Sequence, residues 1–349
     1  LQNAQSFQLF MIGASASCVG AVFMEGACRR YHFFRAGVAV AVVVFAVDAL
    51  FVIGNHQPVG TLFRVAVLAL ANGFGTAALA VVAVPVFELI FGLTTNTSLL
   101  ELCDLNHPLL KRLQLEAPGT YHHSLQVAVL AEQAAERIGA NPLLARVCAY
   151  FHDIGKLSKP VYFSENTGLL QGNPHDSLQP RMSSLVILNH VKEGLELAAE
   201  YKLKRVIRKA IAQHHGTSTI YYFYRRALDR AGDAGKNGKD IREQDYRYPG
   251  PLPQGKELAL ISIADSCEAA ARSLEKPSPG KIEALVDDIV YKRIREGQLD
   301  NADLTCRELA VVKDSIVNAL TTMMHPRIAY PGESEDDDYS DQPYKEASA

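Results

Sequence analysis

The chain has 349 residues, 48% hydrophobic and 21% charged, with a formal net charge of −3. That charge excludes a general binder of nucleic-acid polymers, which needs a basic face, and the apolar content excludes a disordered or collagen-like chain. The charge is also uneven: residues 1–100 hold seven of the 73 Asp, Glu, Lys and Arg residues, which excludes a wholly cytosolic protein.

Three apolar stretches predict membrane helices at about 8–26, 36–54 and 63–92. From Val65 to Phe87 there is no ionisable group, and about 20 apolar residues of helix suffice to cross a bilayer core. Arg29, Arg30 and Arg35 follow the first stretch, whereas 55–61 has no Lys or Arg. The positive-inside rule then places everything after Thr94 in the cytoplasm, with the protein a multi-pass component of the cell membrane and the lipid bilayer as one partner. Asp48 would cost about 2.5–3.5 kcal/mol at mid-bilayer. It is read as lying toward the outer end and facing the helix bundle, with ligand sensing as the alternative. The chain opens on Leu1 without a signal-peptide pattern and is read as the C-terminal piece of a longer membrane protein.

Residues 95–332 read as a second, all-helical domain, so the expected fold class is all-α. Val127, Leu130, Ala131, Ala134 and Ile138 recur at helical spacing, and Gly139 closes the run. Asn141-Pro142 restarts a helix whose buried stripe is Leu144, Val147, Cys148 and Phe151. Further helices are expected at 183–201, 203–215, 256–274, from 280, and at 305–324. Residues 229–255, polar and Gly-rich, read as a loop or surface insertion, and 333–349, with its run Glu335 to Asp338, as an acidic disordered tail. The six cysteines show no metal-type spacing and read as small buried hydrophobes.

Several ionisable residues share the apolar faces of these helices. His123 precedes Val127 and Leu130 by four and seven; His190 follows Val186 by four; His214 follows Ile211 and Ile207; Asp265 follows Ile261 and Leu258. Any one of them reads as a hydrogen-bonded core residue. The adjacent pairs His152-Asp153 and His214-His215 are different, because each puts two ligand-type groups at one helix end. Five imidazoles and two carboxylates without thiolate suit two divalent metals of the Mn or Fe class, with one carboxylate bridging.

The run Phe151-His152-Asp153-Ile154-Gly155-Lys156 resembles the motif of the HD-domain metal-dependent phosphohydrolases. His123-Ser124, Asn189-His190-Val191, Gln213-His214-His215-Gly216 and Ala264-Asp265-Ser266 are similar to its other segments. The stretch Leu99 to Leu110, Arg247 to Pro251 and Gly297 to Asp300 resemble one subgroup, the seven-transmembrane HD phosphohydrolases of the PgpH type, bacterial cyclic di-AMP phosphodiesterases. The resemblance implies an HD bundle over 95–332, an extracellular sensor region and earlier helices upstream, and hydrolysis of cyclic di-AMP to linear 5′-pApA by a hydroxide held between two metals. It implies that His123, His152, Asp153 and Asp265 bind one metal and His190, His214 and His215 the other, with Asp153 bridging. His123 is preferred to His122 because it directly precedes Ser124 and lies on the Val127 face. Lys156 is assigned to phosphate. Arg272 reaches the second phosphate or pairs with an acid. His175 is read as a surface or second-shell residue, Tyr221 to Tyr224 as packing, and Thr167 stands where the family pattern has Gln. Hydrolysis of another nucleotide, such as cyclic di-GMP or a mononucleotide, and a non-catalytic nucleotide receptor remain alternatives; a homodimer is possible on this sequence.

Overall fold

The computed structural model describes residues 2–26, 29–167, 172–233 and 240–324. Three helices open the chain: α1 (Gln2–Met24), α2 (Tyr31–Gly54) and α3 (Gly60–Phe91). All three are long and apolar enough to cross a membrane, with mean hydropathy 1.7, 2.7 and 2.1. Each begins three to six residues before its expected stretch, while α2 ends at the expected 54 and α1 and α3 stop just short of 26 and 92. Helices α2 and α3 meet at glycine: a Cβ on Gly73 would sit 2.2 Å from the carbonyl oxygen of Gly37, and one on Gly37 would sit 2.7 Å from that of Gly73. Small residues of this kind let helix backbones close on each other where lipid offers no hydrophobic drive. Val40, Val44 and Ala69 form the small buried cluster beside them. Asp48 is half-buried and turned toward α1, where the Gln8 side-chain amide donates to its Oδ1 at 2.8 Å.

Glu88 ties the end of α3 to the next helix. It is buried and accepts hydrogen bonds from the Thr95 N–H and the Ser98 hydroxyl, both at 2.6 Å. Thr95 caps the short α4 (Asn96–Leu102). The helical domain continues with α5 (Pro108–Glu116), α6 (Pro118–Arg137), α7 (Pro142–Phe151), α8 (Pro180–Glu200), α9 (Arg205–Gln213), α10 (Tyr221–Asp233), α11 (Lys256–Arg272), α12 (Pro279–Arg295) and α13 (Cys306–Met323). Among the described residues there is no strand, only an isolated bridge between Thr219 and Arg247. Proline supplies the first turn of α5, α6, α7, α8 and α12, where its missing N–H costs nothing. Side chains of Asn141, Ser278 and Thr305 cap α7, α12 and α13.

Helix α6 lies at the centre, packed against α7, α11 and α13. Its Val127, Leu130, Ala131 and Ala134 are fully buried with Phe151, Ile261 and Ile316 in one apolar core. Polar links join this domain to the membrane helices: Lys204, the residue before α9, lies 3.2 Å from Glu88 Oε2 near the end of α3, and Arg30, just before α2, pairs with Glu101 of α4 at 2.9 Å. Within the domain, the Asn141 cap of α7 donates to Asn96 Oδ1 of α4 at 3.1 Å.

Two expectations about the fold need correcting. The span 229–255 is not all loop, because α10 runs to Asp233; its polar C-terminal turns face outward and hide the period. Cys18 and Cys306 are exposed, and only Cys148 and Cys267 are buried, so the cysteines are not uniformly core residues. A Cys placed on an outward helix face is exposed whatever its neighbours in sequence. Cys28 and the tail 333–349 lie outside the described residues.

Candidate metal centre

Each ligand-type side chain comes from a helix end or from a buried helix face. His152 is the residue that ends α7, and Asp153 follows it into a tight 3-10 turn, Ile154–Ser158. That turn presses on α8: a Cβ on Gly155 would lie 1.8 Å from the carbonyl oxygen of His190, so only glycine fits. His190 sits on α8, His214 ends α9 with His215 after it, His123 lies in the early turns of α6, and Asp265 in the middle of α11.

These seven converge. Asp153, His190, His214 and His215 each offer a donor atom within 4.8 Å of one another, and so do His123, His152, Asp153 and Asp265. Asp153 belongs to both groups. Its Oδ1 lies 3.4 Å from His190 Nε2 and 3.5 Å from His214 Nε2; its Oδ2 lies 3.2 Å from His152 Nε2 and 3.6 Å from His123 Nε2. Asp265 faces His123 Nε2 at 3.0 Å through Oδ1 and His215 Nδ1 at 3.5 Å through Oδ2.

The other ring nitrogens are already occupied. Nδ1 of His152, His190 and His214 donates to the carbonyls of Ala149, Ile187 and Ile211 at 2.7, 2.5 and 2.9 Å. A carbonyl only accepts, so each of these rings carries a proton on Nδ1 and turns Nε2, the atom a cation would bind, inward. His123 does the same through a side chain, with Nδ1 against buried Glu268. His152 Nε2 and Asp153 Oδ1 are buried and lack a hydrogen-bond partner, and Asp153 Oδ2 has only ion contacts, with Lys156 Nζ and the His152 and His123 imidazoles. A buried set of lone pairs and anions pointing at one place fits cations, and the imidazole and carboxylate donors fit divalent first-row metals.

The charges agree. Burial pushes His190 down to about 4, with His214 adding to the effect, and burial pushes His215 well below the usual imidazole value, so both rings are neutral and free to ligate. Burial opposes charge on His152 and on Asp153 as well. There it is outweighed: Asp153 lifts the His152 imidazole to about 10, while His152 and Lys156 hold the Asp153 carboxyl well below the usual carboxylate range. The acids demand positive charge, which protons supply here and which metal would supply instead.

Above the cluster lies a cavity of about 620 Å³, bounded by His123, His215 and Asp265 at its base and by Phe163 and Tyr248 on its sides. Lys156 lines it, but its Nζ sits 2.7 Å from Asp153 Oδ2 and 2.7 Å from Glu165 Oε1. Arg272 also lines it and pairs with Glu268 at 2.5 Å. His122 is exposed and outside the cluster. His175 is not on the surface: it is buried, with Nε2 donating to the Tyr162 carbonyl at 2.7 Å. The expectation placed it at a turn and so outside, but the turn folds inward onto Phe223. Tyr221 and Tyr222 are exposed, and Phe223 packs with Ala227 and Tyr246. Thr167 bonds locally to the Ser164 carbonyl.

Four residues around the site had no role assigned from the sequence. Glu268 follows Asp265 by three on the same buried face of α11, which is the signal that would have found it. Glu165 holds Lys156, Tyr248 stacks on His215 with ring centroids 4.1 Å apart, and Arg293 reaches the cavity from α12.

Comparison with known proteins agrees with this geometry. Residues 120–270 match the family described as HD domain, and residues 4–95 match the one described as 7TM receptor with intracellular HD hydrolase. The chain is 41% identical over 333 residues to "Cyclic-di-AMP phosphodiesterase PgpH" of Listeria monocytogenes serotype 1/2a (strain 10403S), covering 94% of this chain and 44% of that one. It is 40% identical over 317 residues to the protein of the same name in Bacillus subtilis (strain 168), covering 89% and 43%. It thus spans less than half the length of these two relatives. The crystal structure of the L. monocytogenes PgpH HD domain in complex with cyclic-di-AMP matches with a TM-score of 0.59 and 45% identity, over 64% of this chain and 100% of that one. With the HD domain of a relative matched over its full length, the chain belongs to the seven-transmembrane HD phosphohydrolases of the PgpH type.

Proposed function

We propose that the chain hydrolyses cyclic di-AMP to linear 5′-pApA, with residues 1–94 in the bilayer and the HD domain of 95–332 on its cytoplasmic side. On this reading the seven side chains would hold two divalent ions of the Mn or Fe class, His123, His152, Asp153 and Asp265 serving one and His190, His214 and His215 the other, with Asp153 common to both groups. The observation that carries it is the pair of ligand groups joined at Asp153, set at the base of a cavity large enough for a nucleotide. Two such ions, when bound, supply Lewis acidity toward phosphoryl oxygen and a water acidified to near neutrality.

The chain's own residues do the rest. Neutral His190 and His215, and the Nδ1 anchors of His152, His190 and His214, keep the donors aimed before substrate arrives. Asp153 is steadied by Lys156, whose ammonium spends two contacts on Asp153 and Glu165 and keeps one N–H for a phosphate oxygen. Water oxygen bonds to phosphorus in line with the ribose 3′ oxygen, the P–O3′ bond breaks, a proton from that water ends on the departing 3′ oxygen, and the opened ring keeps its phosphate on the 5′ side. The basic turn before α2 supports the cytoplasmic placement. Upstream helices and an extracellular sensor region of the same chain belong to this reading too.

The test is metal analysis of anaerobically purified protein together with chromatography of its products from cyclic di-AMP. Two ions per chain and pApA are expected. Turnover of cyclic di-GMP or a mononucleotide in preference to cyclic di-AMP would move the protein to another HD chemistry, and metal without turnover would make it a receptor.

A further inference from the structure

Among the cations that line the cavity, two are already neutralised: Lys156 by Asp153 and Glu165, and Arg272 by Glu268. Lys292 is exposed and sits over the Tyr221 ring. Arg293 differs from all three. It is 7% exposed, and its Nη2 donates only to neutral oxygens, Ser266 Oγ at 2.6 Å and the Ser262 carbonyl at 3.4 Å. Its Nη1 is buried with no partner. Asp265 and Glu296 are the carboxylates whose fields reach it, but neither forms an ion pair with it, and Asp265 is committed to His123 and His215.

A guanidinium cannot shed its proton to escape this cost, so an uncompensated one in a cavity wall calls for an anion. A cyclic dinucleotide brings two phosphodiesters. One has to lie at the Asp153 cluster for its bond to break, and the charge of the other must be met elsewhere in the cavity. We propose that Arg293, supported by Ser266, binds the phosphodiester that is not being cleaved, and so makes the site select for ligands with two phosphates. This assignment rests on the cyclic-dinucleotide reading of the site and gives that reading its specificity.

The experiment compares the full chain with R293Q and R293K, loaded with Mn. Metal content is measured first and is expected to be unchanged, since Arg293 touches no ligand-bearing donor atom. The KM for cyclic di-AMP should rise about 10- to 100-fold in R293Q, the size of a charge-assisted contact to phosphate, and R293K should recover part of the loss. Hydrolysis of bis(4-nitrophenyl) phosphate, which has a single phosphate, should change less than threefold. Equal losses on both substrates would overturn the assignment, as would an unchanged KM for cyclic di-AMP. Calorimetric binding of cyclic di-AMP separates this proposal from the hydrolase reading. Wild-type protein that binds without turnover, with R293Q binding at least tenfold more weakly, sinks hydrolysis and keeps Arg293. Equal binding by wild type and R293Q, or none by either, sinks Arg293.

Discussion

In the membrane helices most large apolar side chains point outward: Leu50, Phe63 and Leu89 are all at least 70% exposed, while the residues turned inward, Phe33 and Glu88 aside, are glycines, alanines and valines. The HD domain is arranged the other way. Leu130, Ile261 and Phe151 are fully buried, and the exposed positions are mostly polar or charged. The difference follows from the solvent. Lipid leaves helices to be held by close backbone approach and a few polar contacts such as Gln8 to Asp48, whereas water drives a wide apolar core together. Only the second kind of core has energy to spare for burying seven ligand side chains at one place. Function therefore sits where water, not lipid, does the folding.

The comparison predicts that each half can be damaged without the other. The largest effect is expected from Asp153→Asn, which removes the oxygen pair common to both ligand groups. Metal content should drop and cyclic di-AMP turnover fall more than about 100-fold, with α1–α3 intact by circular dichroism in lipid. Full turnover in a metal-replete sample would refute the bridging role. Next is Glu268→Gln, which leaves the seven ligands in place but loosens the His123 ring; metal titration should show about 10- to 100-fold weaker binding. An unchanged affinity would mean that packing alone orients His123.

On the membrane side, Gly73→Val would force the α2–α3 contact apart. A loss of about 1–3 kcal/mol is expected from overpacking, read as a lower melting temperature in bilayer discs, with metal content unchanged. Loss of metal in this variant would show that the two halves are not separable. The smallest effect concerns the cap of α13. Lys256, and then the Thr305 N–H and hydroxyl, lower the Glu308 carboxyl from 4.5 to about 2. Because the folded state holds its proton less tightly than the unfolded one, this stabilisation is complete above about pH 4.5 and disappears as pH falls toward 2. Glu308→Gln should flatten the acid limb of α13 opening by hydrogen exchange; an identical limb would show that the cap carries no such linkage.

Much of this was legible in the sequence for a physical reason. Helical period and proline or Asn starts mark α6 and α7, and ionisable groups on those apolar faces mark His123, His152 and His214. What was hidden depends on which elements meet. Arg293 lies on a helix whose approach to α11 no spacing reveals, and Glu165 reaches Lys156 only because the segment after the 3-10 turn folds back. The α10 helix escaped notice because its outer turns are polar.

Helices α7 and α9 each end at His152 and His214; α9 begins after Lys204, which pairs with Glu88 of α3, and α7 begins at Asn141, bonded to Asn96 of α4, the short helix that Glu88 holds through Thr95 and Ser98. At 10 and 9 residues they are stiff rods about 14–15 Å long. A rod passes an axial shift along undiminished. One ångström of travel at the Glu88 end arrives as one ångström at His214, several times the roughly 0.2 Å within which metal–ligand distances are held. Piston travel too small to unfold anything is thus enough to detune coordination.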